Sequence, residues 1–193
     1  LILDEVTERN LELFNRLDGR TGPGTLLHVL DRTVTPMGGR HLRAVLGAPW
    51  RDPEPMQRTQ AAVAFLVERD EVRRAVREGL ARVHDLERLS TRISLGRATP
   101  RDFIALRESL PGLPDLAALL AGALGADGPP LLANMVATWD GLADVRALLD
   151  RALADSPPPA VTEGGLFKTG YHPDLDELIG LAEHGEARMA ELL

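Results

Sequence analysis

An all-α fold with only short extended pieces is what this sequence predicts, and three observations predict it. Apolar residues recur at spacings of three and four along most of the chain. Proline follows a capping residue at Thr35-Pro36, Asp52-Pro53 and Thr99-Pro100, the pattern of a helix that begins with proline in its first turn, where a missing N–H costs nothing. Glycine- and proline-rich stretches such as "DGRTGPGT" and "GADGPP" punctuate these runs as loops. With 193 residues and 44% hydrophobic content, the expected architecture is an elongated multi-helix bundle with a real core.

Each element has its own justification. "LIL" and "LELF", separated by the polar "DEVTERN", suggest a short N-terminal hairpin, with a helix from Glu5 to Leu17 as the alternative. A helix over about 25–31 follows. Thr35 and Pro36 start the next one, "PMGGRHLRAVLG", with Leu42, Val45 and Leu46 on its stripe and Gly47 and Pro49 at its end. Glycines one turn inside that start suggest another backbone packed too closely for a Cβ. Asp52 caps a helix to about Glu68, and Asp70 and Glu71 open another. The run 83–96 reads as a helix on Val83, Leu86, Leu89 and Ile93, and Thr99 with Asp102 forms a near capping box for its successor. "LPGLPDL" turns into a helix over 116–124, and Trp139, Leu142, Val145, Leu148 and Leu149 line one that ends before "DSPPP". "AVTEGGLFKTGY" reads as a turn with short extended flanks, near 160–170. From Pro173 the pattern is helical to the end, with Leu175, Leu178, Ile179, Ala182, Met189 and Leu192 on a stripe.

Composition excludes several classes of function. The absence of cysteine removes disulfide frameworks and thiolate metal sites. The longest apolar stretch, "LAALLAGALGA", is shorter than the roughly 18–20 residues of a membrane span. The net charge of −7 opposes contact with a phosphate backbone. It is unevenly spread: residues 69–107 carry ten Arg against six acids, whereas residues 108–193 carry four basic residues against fourteen acidic ones. The start lacks both an initiator Met and a signal-peptide pattern, and the last helix lacks a stop signal, as expected of a piece from a longer polypeptide.

Motifs for chemistry are few. "GRTGPGT" has two glycines at phosphate-loop spacing, but Thr25 occupies the lysine position. The histidines His28, His41, His84, His172 and His184 form no H-E-x-x-H pair. His84-Asp85 is an adjacent pair of the kind used by HD-type metal phosphohydrolases, which would need a further His and Asp to converge, such as His41 or His28 with Asp144. Charge pairing along the helix face explains "DLERL" without a metal. The expectation is therefore no catalytic, cofactor or metal site; an HD-type hydrolase and a generic helical adaptor are the alternatives.

Three blocks carry a resemblance. "LHVLDRTVTPMGGRHLRAVLGAPWRDPEPMQRTQAAVAFL" resembles the opening of the core, or lever, domain of the MutS family of DNA mismatch-repair proteins, through Asp31, Thr33, Thr35, Pro36, Met37, Gly38, Arg40, Leu42, Leu46 and Pro49. "DLERLSTRISLGRATPRDFIALRESLPGLPDL" is similar to the next block, through Asp85, Leu86, Glu87, Arg88, Arg92, Gly96, Pro100, Arg101 and Asp102. "EGGLFKTGYHPDLDELI" is similar to a third, through Gly164, Gly165, Gly170, Tyr171, Leu175, Asp176 and Leu178. Val45 replaces the usual Trp, and His172 stands where Asn is common.

The resemblance implies a parent that is a cytoplasmic, homodimeric, DNA-dependent ATPase of bacteria, acting at the nucleoid. It would bind ATP and Mg and mismatched duplex DNA, and would signal to downstream mismatch-repair proteins. Residues 1–193 would be the first part of its core domain, and 173–193 the helix leading out toward a clamp. In these terms the segment is a non-catalytic lever, with Arg40 as an ionic anchor.

Overall fold

The computed structural model describes residues 3–125, 127–159 and 161–191, the last nine by backbone alone. Eleven α-helices are present among them: α1 (Glu5–Asn10), α2 (Leu26–Leu30), α3 (Pro36–Gly47), α4 (Pro53–Glu68), α5 (Asp70–Leu80), α6 (Leu86–Ser94), α7 (Pro100–Ser109), α8 (Gly112–Leu124), α9 (Pro130–Ala137), α10 (Ala143–Ala152) and α11 (Pro173–Glu191). Extended pairing among the described residues is limited to two isolated antiparallel bridges, Asn15 with Thr21 and Leu153 with Phe167. The second supports the extended turn expected near 160–170, where a 3₁₀ turn (Val161–Glu163) precedes Phe167. Among the described residues no helix is long and apolar enough to cross a membrane.

The caps that start the helices explain most boundaries. The hydroxyls of Thr25 and Thr35 accept the N–H groups of His28 and Gly38, and the carboxylate of Asp52 accepts that of Glu54. The expected N-terminal hairpin does not form. Asp4 instead caps α1 by accepting the Thr7 N–H at 2.7 Å, and two glutamates in that first turn favour its positive dipole end. Leu1 and Ile2, half of the proposed hairpin, lie outside the described residues.

Three further boundaries differ from the sequence reading. The helix expected over 83–96 starts at Leu86, because Asp85 caps it. The helix expected from Leu116 begins at Gly112: Pro114 lies in the first turn, whose N–H groups have no helical partner in any case. Trp139 and Leu142 precede α10 instead of lining it. Asp140 accepts the Leu142 N–H at 2.9 Å, and Leu142 adopts a left-handed conformation with φ of 50°, which separates α9 from α10.

Helix α8 organises the core. Its Leu113 and Leu116 join Val83, Leu110, Leu149 and Leu153 in one buried cluster, and its Leu124 joins Ala62, Phe65 and Leu132 in a second. Helix α5 approaches α8 at Gly79, where a Cβ would lie 2.5 Å from Leu116 Cδ2. Nothing in the sequence pattern marks that approach. The stripe of α11 is exposed at Leu178 and Ile179, while the Met189 side chain and Leu192 lie outside the described residues.

Two glycine substitutions test this packing. Gly122, also inside α8, has open space around it, so Gly122→Ala should stabilise by about 0.5–1 kcal/mol, the helix-propensity gain. Gly79→Ala should lose that gain to overpacking, which typically costs about 1–3 kcal/mol. Thermal melts of the two variants should move in opposite directions.

Candidate functional site: arginine bridges between helix starts

The start of α3 is built from its own cap. Asp31 Oδ1 accepts the Thr33 hydroxyl at 2.7 Å and its N–H at 2.9 Å, and these bonds, the hydroxyl first, hold the Asp31 carboxyl below the ordinary carboxylate range. Thr35 caps the helix, Pro36 opens it, and Met37 packs against the larger core cluster. A Cβ on Gly38 would stand 3.0 Å from Thr35 Oγ1 and 3.3 Å from Thr33 Cβ. The close neighbours of Gly38 are thus side chains of the cap, not the foreign backbone that the sequence suggested. Leu42 and Leu46 are half-buried, and Pro49 follows the helix end.

One turn farther along, Arg40 leaves α3 and grips the start of α6. Its Nη1 donates to Asp85 Oδ2 and its Nη2 to Asp85 Oδ1, both at 2.7 Å, while Nε donates to Glu87 Oε2 at 3.1 Å. This is a fork-to-fork pair, the geometry that suits guanidinium and not ammonium. Asp85 is also the α6 cap, accepting the Arg88 N–H at 3.2 Å. The Arg40 bonds, and next to them that cap bond, lower the Asp85 pKa against the opposing effect of burial. His84 donates its backbone N–H to the buried Ser109 hydroxyl at 2.9 Å, and its ring lies 3.3 Å from Glu108. With both Asp85 oxygens engaged by Arg40, the His84-Asp85 pair is a helix start, not a metal half-site.

A second bridge repeats the device. Arg92, in the last turn of α6, donates to buried Asp102 at 2.6 Å, and Asp102 completes the α7 capping box by accepting the Thr99 N–H at 2.8 Å and its hydroxyl at 2.9 Å. The Thr99 N–H bond is the largest influence holding the Asp102 pKa down. Pro100 is buried at the first position of α7, and Arg101 is exposed beside it. Arg107, in the last turn of α7, then reaches the carbonyls of Ala154 and Asp155 at 3.0 and 3.2 Å. Upstream, Arg77 of α5 donates to the Arg32 carbonyl at 2.8 Å, just before α3.

Arginines therefore link α5, the α3 start, α6, α7 and the segment after α10 in series. The sequence singled out Arg40 and both carboxylates, but missed Arg77 and Arg107. Their acceptors are backbone carbonyls, which leave no signature in residue type. The third block joins the end of α10 through the Leu153–Phe167 bridge, and Leu166 packs on the larger core cluster; Gly165 and Gly170 take positive φ, Gly170 donates to Asp176 Oδ2 at 2.9 Å, and Tyr171 stacks on Phe167 with centroids 5.4 Å apart.

The bridges imply a specific acid response. Native pKa values of Asp85 and Asp102 lie below their unfolded value of about 3.9, so the unfolded chain binds protons first as the pH falls. Their contribution is complete above about pH 5 and is lost as the pH drops through the lower native values. Melting temperature should be level from neutrality to about pH 5 and then fall. Asp102→Asn should lower the neutral-pH plateau and flatten that fall; an unchanged acid limb would contradict this assignment.

Comparison with known proteins places the fold. A family model for MutS domain III matches residues 6–192. Along its whole length the chain is 57% identical to the DNA mismatch repair protein MutS of Nitratidesulfovibrio vulgaris, 53% to that of Oleidesulfovibrio alaskensis and 40% to that of Methanothrix thermoacetophila. It spans 23%, 23% and 22% of those proteins, less than a quarter of each. All four arginine links and both core clusters fall inside the matched span, and the chain belongs to the MutS domain III family.

Proposed function

We propose that this chain is the first part of the helical core, or lever, of a DNA mismatch-repair protein. Its role is to couple an ATP-hydrolysing domain to domains that hold DNA. The observation that carries this reading is similarity along the full chain to proteins named DNA mismatch repair protein MutS, of which it spans 23%. ATP with Mg would be held elsewhere in the parent, a homodimer acting in the bacterial cytoplasm at the nucleoid, on mispaired duplex and with downstream repair proteins. Residues 173–193 would lead out toward the clamp.

The arrangement suits coupling for a physical reason. Packed helices respond to a push by repacking between discrete arrangements, not by bending smoothly. A carboxylate that caps one helix and binds an arginine from another makes the start of α6 move with α3, and Arg92–Asp102 passes that motion to α7. Arg40, Asp85, Glu87 and Asp102 are positioning residues in this scheme. Asp31, Thr35, Pro36, Met37 and Gly38 build the start that aims Arg40, and Gly165, Gly170 and Tyr171 set the turn before α11. Arg88 and Arg101 are exposed neighbours of the two caps.

The coupling reading has a direct test in the longer protein. Arg40→Met should leave basal ATP hydrolysis and mismatch affinity each within about twofold, while reducing ATP-triggered release of DNA by about tenfold, a coupling loss near 1.4 kcal/mol. Arg40→Lys, which keeps the charge but not the fork, should not rescue it. Equal loss of all three activities would mark Arg40 as a residue of stability alone.

The chain on its own should neither hydrolyse ATP nor discriminate mispairs. Seven of the ten arginines in 69–107 already have partners within the chain, namely Arg69, Arg73, Arg74, Arg77, Arg88, Arg92 and Arg107. Six carboxylates in the same stretch also offset more than half of the charge of its ten arginines. Fluorescence anisotropy at about 150 mM salt should give equally weak binding to matched and mispaired duplex. Submicromolar affinity would overturn that expectation.

A further inference from the structure

The "GRTGPGT" loop lacks a lysine, but it borders a pocket of about 450 Å³ to which arginines from elsewhere contribute. Thr21 from the loop and His28 from α2 share its lining with Arg32, just before α3, and Arg43, inside α3. The fold pins this corner. Thr25 is 2% exposed, its hydroxyl donates to the Gly22 carbonyl at 2.9 Å, and the N–H groups of Leu26 and Leu27 donate to the carbonyls of Glu12 and Leu13, both at 3.0 Å. Arg43 lies with its guanidinium over the Phe14 ring, 4.1 Å from the centroid, and makes no hydrogen bond or ion pair among the described residues. Held by its face, it keeps every N–H free at its edge. Arg32 spends one N–H on the Asp31 carbonyl at 3.1 Å, and the His28 ring and the Thr21 hydroxyl are unbonded among the described residues. The single carboxylate of the lining, Asp31, has its Oδ1 engaged by Thr33, and the two guanidiniums outweigh its charge.

We propose that this pocket binds a phosphate group, free or carried as a monoester on a small polar molecule. Guanidinium edges grip oxyanions through paired N–H groups. Donors from two arginines, an imidazole and a hydroxyl suit an anion with three or four terminal oxygens better than a carboxylate with two. Among the lining residues only Phe14 and Leu27 are apolar, and Arg43 already covers a face of Phe14, so an apolar ligand finds little to bury against. The loop itself is not a triphosphate cradle, because the Thr25 hydroxyl is spent on Gly22 and no lysine is present. The cations that the loop lacks come from outside it. Because the corner is pinned before a ligand arrives, binding does not have to order it. This proposal rests on the pocket alone and is independent of the coupling reading.

Titration calorimetry of the longer protein tests it, with inorganic phosphate and separately with glycerol phosphate. At about 150 mM salt at least one of the two should bind saturably, with a Kd below about 1 mM. Arg43→Gln and Arg32→Gln should each weaken that binding at least about tenfold. Arg151→Gln, which removes an exposed arginine of α10 outside the pocket, should leave it within about twofold. A phosphate site elsewhere in the longer protein is untouched by the pocket variants, so their loss isolates this one. The tighter of the two ligands tells whether the phosphate is free or esterified. Binding that neither pocket variant weakens overturns the proposal, as does equal weakening by Arg151→Gln, which would mark general charge. Acetate bound as tightly as phosphate also overturns it, and so does tighter binding of duplex DNA that is lost in the same two variants. Should Arg43→Gln melt below the parent through loss of its Phe14 contact, Arg32→Gln, an exposed side chain, gives the same reading.

Discussion

Every helix leaves four N–H groups without partners at its start, and in this chain two of those starts are closed by carboxylates that do a second job. Asp85 and Asp102 satisfy backbone donors of their own helices while holding an arginine from a neighbouring one. Local helix formation and tertiary placement thereby meet in one side chain: the carboxylate that caps α6 also holds α3 through Arg40. The constraint matters most for α3, which has no fully buried residue of its own and is otherwise held by Met37 against the larger core cluster and by Arg43 over the Phe14 ring.

Core packing supplies the complementary half. Helix α8 feeds both apolar clusters, and α5 lies against it at a glycine, so the centre of the molecule is fixed by shape. The periphery is fixed by charge. In a chain with a net charge of −7, seven of the ten arginines of the basic stretch 69–107 bond to groups within the chain itself.

Much of this was legible in the residues. Thr35-Pro36, Asp52-Pro53 and Thr99-Pro100 are read from local chemistry, and the structure starts helices at each. The "LIL" pattern misled because three apolar residues fit strand and helix equally, and the decision fell to a cap, Asp4 to Thr7, in the polar stretch between them. Trp139 and Leu142 kept helical spacing across a break set by Asp140, a side-chain bond that competes with the helix. For the site, Arg40, Asp85 and Asp102 stood out by motif. Their pairing across 45 residues did not, and the approach of Gly79 to Leu116 is invisible to any one-dimensional pattern.

The two kinds of arginine acceptor set an order of disassembly. Arg40 and Arg92 bind carboxylates, which proton uptake neutralises; Arg77 and Arg107 bind peptide carbonyls, which do not titrate, through a guanidinium that keeps its charge. In acid the joints from α3 to α6 and from α6 to α7 therefore slacken first, while α5 stays moored to the loop before α3 and α7 to the strand-like segment after α10. An acid-stressed molecule of this fold would come apart in its middle and keep its two ends tied.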